Sequence, residues 1–226
     1  MSALRAEALK AVCLPALRWA LALTVAASVL MLIALRQDAP AASSLPGQAV
    51  ASGLWIWAGL VQTGFLAMGL LMATKEHTSA LGRTTLLVAP GRGGVWSGRL
   101  VVLTAAVLPV AVALAATALA VLDQHPARAS VEAAARTGAW LVAVALLAVG
   151  TGAVLRHVLA TAATLLLLVV VAPATAQALG SWATWLPGVA AQDWVREGAW
   201  RDGVVVLAWV MAALATGGLR LVRSDA

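Results

Sequence analysis

The chain has 226 residues, a formal charge of +6, 62% hydrophobic side chains and only 11% charged ones. Soluble domains average roughly 45–50% apolar and about 25% charged residues, so this chain has too little polar surface to cover a soluble core. The balance excludes a soluble globular domain. It also excludes a nucleic-acid-binding one, because no basic face with interleaved aromatics lies outside the apolar runs.

A helix crosses the hydrocarbon with roughly 20 apolar residues. Six such stretches occur, at residues 17–35, 51–73, 98–122, 137–155, 158–179 and 203–219. The expected fold is therefore all-α: one polytopic membrane domain over residues 1–226 with about six transmembrane helices. Strands are not expected, since the runs are continuous and an open sheet edge cannot face lipid. The first run follows a long basic segment and exceeds the usual 7–15 residues of a signal core, so it reads as an uncleaved first helix. Pro109 and Pro173 fall inside the third and fifth runs. Each removes a backbone donor and is expected to bend its helix.

Loop charges set the orientation. With both ends in the cytoplasm, the inside holds Arg5, Lys10, Arg18, Lys75, Arg83, Arg92, Arg99, Arg156, Arg220 and Arg223. The outside holds Arg36, Arg128, Arg136, Arg196 and Arg201, with most of the acids. This twofold Lys/Arg excess follows the positive-inside rule.

Two connecting segments carry information. The inside one, 74–97, contains Glu76, His77, Arg83, Thr84 and Arg92 and ends its apolar stretch at Pro90-Gly91. It reads either as a short amphipathic helix along the cytoplasmic face, at about 75–90, or as a solvated connector. The outside one, 180–202, mixes Trp182, Trp185, Trp194 and Trp200 with polar residues and Pro187-Gly188. It is too polar to span. It is expected to lie in the outer interface as one or two short helices broken at Pro187, as a passive aromatic belt or as a gate over a pathway.

Site chemistry is sparse. Cys13 is the sole cysteine, and His77, His125 and His157 all fall in expected loops without ligand-spaced partners. No catalytic, cofactor or metal constellation results. Gly91-Arg92-Gly93-Gly94 lacks the Lys-Ser/Thr of a phosphate-binding loop, so this chain is not expected to bind ATP. Gln62, with Thr63, is the most polar mid-span site. It either faces a cavity or packs against another helix. The absence of mid-span charges argues against a proton- or ion-coupled carrier.

The inside segment resembles the coupling-helix region of bacterial ABC-2-type transporter permeases, particularly actinobacterial ones. The resemblance rests on Glu76, on Arg83-Thr84-Thr85-Leu86, on Pro90 and Arg92, and on Arg99 opening the third helix. The Leu155-Arg156-His157 turn, the Leu-rich run ending at Pro173, and Trp185-Leu186-Pro187 before the last helix are similar too. The similarity covers roughly residues 51–219. It implies an exporter-like permease subunit in a bacterial plasma membrane, with a separate cytosolic ATPase holding ATP and magnesium. It also implies a second permease copy or a related chain. Glu76, His77, Arg83, Thr84 and Arg92 would then meet the ATPase, and Gln62 and Thr63 would lie near the path of an apolar or amphipathic drug, lipid or peptide. The competing class is a membrane sensor or immunity protein without transport activity.

Overall fold

The structure, a computed structural model, describes residues 15–37, 46–78, 92–123 and 125–223. Among these, every element is helical. The long helices are α1 (Pro15–Gln37), α2 (Pro46–Thr78), α3 (Arg92–Leu122) and α4 (Arg128–Leu155). Then come α5 (Val158–Ala174), a short α6 (Ala176–Trp185), α7 (Pro187–Glu197) and α8 (Trp200–Arg223). Among the described residues five helices are long and apolar enough to cross a membrane, and α5 with α6 makes a sixth if that bent pair counts as one span.

Several helices outrun their apolar cores. α4 starts at Arg128, well before residue 137, because an alanine-rich turn follows. The Arg128 Nε–Glu132 Oε1 pair at 2.8 Å adds i,i+4 support on that first turn. α3 opens at Arg92 and continues through Pro109 without a break. α8 opens at Trp200, with Asp202 in the first turn, where a carboxylate meets the positive end of the helix dipole.

The fifth run departs most from a straight span. Its helix widens to a π turn at Leu167–Val171, and the chain turns 91° between α5 and α6. Pro173 has no N–H to return to a carbonyl one turn back, so that turn lacks one of its helical hydrogen bonds. The start of α7 closes on that spot. A Cβ on Gly188 would stand 2.7 Å from the oxygens of both Leu168 and Val169, so only glycine lets the two backbones meet.

α4 is the central helix, in contact with α2, α3 and α8, and α1 leans on α2 and α3. In the most apolar window 61% of α4 is buried, against 17% of α1 and 22% of α8. Of these five straight spans, α1 and α8 therefore offer most surface to lipid. Between helices there is little hydrophobic drive in lipid, so close packing of small residues and cross-helix hydrogen bonds hold the bundle. A Cβ on Gly69 would meet Ala145 O of α4 at 2.3 Å, and one on Gly150 would meet the Ala213 carbonyl carbon of α8 at 2.6 Å. Trp57 Nε1 donates to Ser28 Oγ across α2 and α1 at 3.0 Å.

The α4–α5 corner is tight. Arg156 sits at φ 54°, ψ 15° and its N–H closes the helix on Gly152 O at 2.9 Å. A left-handed residue with a Cβ is strained, and glycine is not. Arg156→Gly is expected to raise stability by about 0.5–1 kcal/mol, after allowing for the greater freedom of glycine in the unfolded chain. Unfolding of the purified protein in micelles reads this.

Candidate functional site

One end of the bundle gathers the start of α3 and the ends of α4 and α8. The Trp96 ring of α3 lies over Gly217 and Gly218 of α8, where added Cβ atoms would meet it at 3.2 and 2.9 Å. Arg99, one turn on, is 3% exposed, and its guanidinium carbon stands 6.0 Å from the Trp96 ring centroid. Arg220 of α8 donates to Val154 O of α4. Arg156 and Arg223 are exposed at the same end. Among the described side chains this end carries no carboxylate.

α2 ends and α3 begins at this end. Arg83 and Thr84 lie outside the described residues, as does most of the expected amphipathic helix at 75–90. Glu76 and His77 do not open a separate helix. They continue the last turn of α2, which runs to Thr78, because nothing between Ala73 and Thr78 breaks a helix. Arg92 is the first residue of α3.

Gln62 takes the packing role. It is 2% exposed, its Oε1 accepts from Trp140 Nε1 of α4 at 2.8 Å, and its Nε2 donates to Gly59 O at 3.3 Å. Thr63, one residue on, points outward and donates to Leu60 O of its own helix at 2.7 Å. The two expected pathway residues therefore face different surroundings. An apolar opening of about 60 Å³ lies between α1, α2 and α3, lined by Leu17, Met68, Val107 and Val110 among others.

At the opposite end, the segment after α5 breaks at Pro187, which serves as the first residue of α7. α7 does not rest on the bundle as a surface helix. Pro187, Gly188, Val189, Ala190, Ala191 and Val195 are buried against α4, α8 and the α5 turn. The four tryptophans diverge accordingly. Trp182 and Trp200 are about four-fifths exposed (80% and 79%), as an aromatic belt requires. Trp185 stacks near Arg201, 5.4 Å from guanidinium carbon to ring centroid, and its carbonyl accepts from Trp209 Nε1 at 2.8 Å. Trp194 is half-buried against Gly203, where a Cβ would stand 2.9 Å from its Nε1. α7 ends at Gly198, φ 77°, and the Arg136 guanidinium fills the space a side chain there would need.

This end also holds the described carboxylates. Burial raises the Asp193 carboxyl above its ordinary pKa; Glu197 and Asp202 raise it further, and Arg196 partly offsets them. The folded protein therefore binds a proton that the unfolded chain has already released at the same pH. Stability falls as pH rises from the ordinary carboxylate value through the raised one, and the penalty is complete above it. Asp193→Asn is expected to raise the unfolding temperature at neutral pH. The gain should shrink on acidification through that window, read by thermal unfolding at several pH values.

The sequence signal for Gln62 was its polarity, but its partner went unseen. A tryptophan inside an apolar run carries an N–H that must find an acceptor, and Trp57, Trp140 and Trp209 each do so here. Comparison with known protein families and with curated proteins finds no match for this chain.

Proposed function

We propose that the chain is the permease subunit of an ABC-2-type ATP-binding cassette transporter in a bacterial plasma membrane, with both termini in the cytoplasm. The observation that carries the reading is the α2–α3 connector. It holds Glu76, Arg83-Thr84-Thr85-Leu86, Pro90 and Arg92, and the helix ends it joins lie where Arg99, Arg156, Arg220 and Arg223 collect. Basic residues favour the cytoplasmic side, where a nucleotide-driven motor would reach the connector.

In this reading the connector docks on a separate ATPase that binds ATP and magnesium. Glu76, His77, Arg83, Thr84 and Arg92 make the polar contacts. A second permease copy or a related chain completes the pair, and an apolar or amphipathic compound is exported. Closure of the ATPase pair pulls the connector and with it the start of α3. Trp96, seated on Gly217 and Gly218, passes that displacement to α8. Coupling requires such a two-state element biased from a distant site.

The test is affinity purification of the tagged chain from its native membrane, followed by identification of bound proteins. An ATP-binding cassette ATPase is expected to co-purify, and Glu76→Ala/Arg83→Ala is expected to lower substrate-stimulated ATP hydrolysis at least tenfold while the subunits stay assembled. A chain that purifies without any ATPase would support the sensor or immunity class instead.

A further inference from the structure

α5 and α8 both pack on α4, and a groove of about 280 Å³ remains between them. Leu147, Leu165, Leu168, Ala212 and Trp209 are among the residues that line it. The hydroxyls of Thr151 and Thr216, which also line it, donate to Leu147 O and Ala212 O of their own helices, both at 2.7 Å. With Thr164 adding one hydroxyl, what the groove presents is mainly hydrocarbon. From Trp209 to Thr216 the wall runs about 10 Å at 1.5 Å per residue. That is most of the roughly 15 Å depth of one leaflet's hydrocarbon.

One end of this apolar groove is cationic. Val154 lines it, and the carbonyl of Val154 anchors Arg220. That contact uses one of the five guanidinium donors of Arg220, and the residue is exposed. Arg156 stands two residues beyond Val154, and Arg223 lies one turn beyond Arg220; both are exposed. Arginine pairs planar donors with phosphate oxygens. A long apolar cleft that ends in three arginines fits a ligand with an anionic head and an alkyl tail. A second copy of α8 would bring its own Arg220 and Arg223 against the same charges, so charge complementarity disfavours it.

We propose that this groove is a binding site for an anionic phospholipid, with one acyl chain between α5 and α8 and the phosphate among Arg156, Arg220 and Arg223. The site requires only that the helices lie in a bilayer, and it is independent of any ATPase partner. The basic patch adds specificity and the groove adds affinity, each contributing separately.

Native mass spectrometry of the purified full chain tests this, with phosphatidylglycerol and phosphatidylcholine of identical acyl chains as probes. The wild type is expected to retain phosphatidylglycerol about a hundredfold over phosphatidylcholine, at roughly fivefold for each of the three arginines. Arg156→Gly/Arg223→Ala spares the Arg220–Val154 contact and relieves the left-handed strain, so it should fold. It is expected to lose most of the preference while still binding both lipids weakly. Ala212→Trp fills the cleft and is expected to lose both. Equal retention of the two lipids by the wild type, or an undiminished preference in the double variant, would overturn the site. So would spontaneous cross-linking of Ala212→Cys chains, on a Cys13→Ser background, in phosphatidylglycerol vesicles, because a second copy would then occupy the groove.

Discussion

Gly69→Val is expected to cost at least about 3 kcal/mol, the upper part of the range for overpacking a close contact. The reason is what the new atoms would meet. A Cβ at residue 69 stands 2.3 Å from Ala145 O and 2.7 Å from Ala148 Cβ. The oxygen belongs to the α4 backbone, so no rotamer change removes the clash and the helices must part. α2 and α4 are the two most buried spans, at 56% and 61%. Parting them opens the cluster that contains Trp57, Val61, Phe65, Leu141 and Val149. Gly59 lies on the same helix with nothing within 4 Å of its would-be Cβ. Gly59→Ala is expected to be neutral or to stabilise by up to about 1 kcal/mol through helix propensity. Unfolding of both variants in mixed micelles makes the comparison. Equal stability for Gly69→Val and the wild type would mean that α2 and α4 do not pack this way.

That contact marks the boundary of what the sequence could disclose. The six apolar runs, their order and the break at Pro187 follow from hydropathy and from one residue's missing N–H, which are local properties. The helix extensions past the runs were also local, written in the alanines after Arg128 and the Asp202 turn, but hydropathy alone passes over them. Which glycine faces a neighbour is not local. Gly59, Gly64 and Gly69 sit on one helix with similar apolar surroundings in sequence. Only the assembled bundle puts Thr24 against Gly64 and Ala145 against Gly69, while Gly59 stays open.

The tryptophans show the same limit from the polar side. Their preference for the interface describes Trp182 and Trp200, but Trp57 and Trp140 are fully buried. Their acceptors, Ser28 and Gln62, lie on other helices. The gathering of Asp193, Glu197 and Asp202 at one end of the bundle is legible in the sequence, since all three fall in or beside one loop segment. The burial that raises Asp193 comes from α7 sinking into the bundle, and an amphipathic period reads equally as a helix lying on a membrane surface.

The second large effect is expected at the Gln62–Trp140 pair. Trp140→Ala should cost about 3–5 kcal/mol, since it empties a site with no solvent access. Trp140→Phe is the sharper probe because it keeps most of the volume and deletes the N–H. It strands Gln62 Oε1, which otherwise accepts at 2.8 Å. The expected loss is about 1–2 kcal/mol, toward the lower side of a buried unsatisfied group because hydrogen bonds between membrane helices average nearer 0.6 kcal/mol. Gln62→Leu should cost a similar amount by stranding the indole N–H. Gln62→Leu/Trp140→Phe removes both polar partners and should be more stable than the two single losses added together, a positive coupling of about 1 kcal/mol. A double-mutant cycle in micelles measures it. The same variants separate a packing role from a pathway role. Gln62→Leu with Trp140→Phe leaves the α2–α4 contact non-polar, so under the proposed permease function transport in a reconstituted complex should track the recovered stability. Transport that stays abolished while stability returns would place Gln62 on the path of the substrate, in an arrangement of helices where it turns away from Trp140.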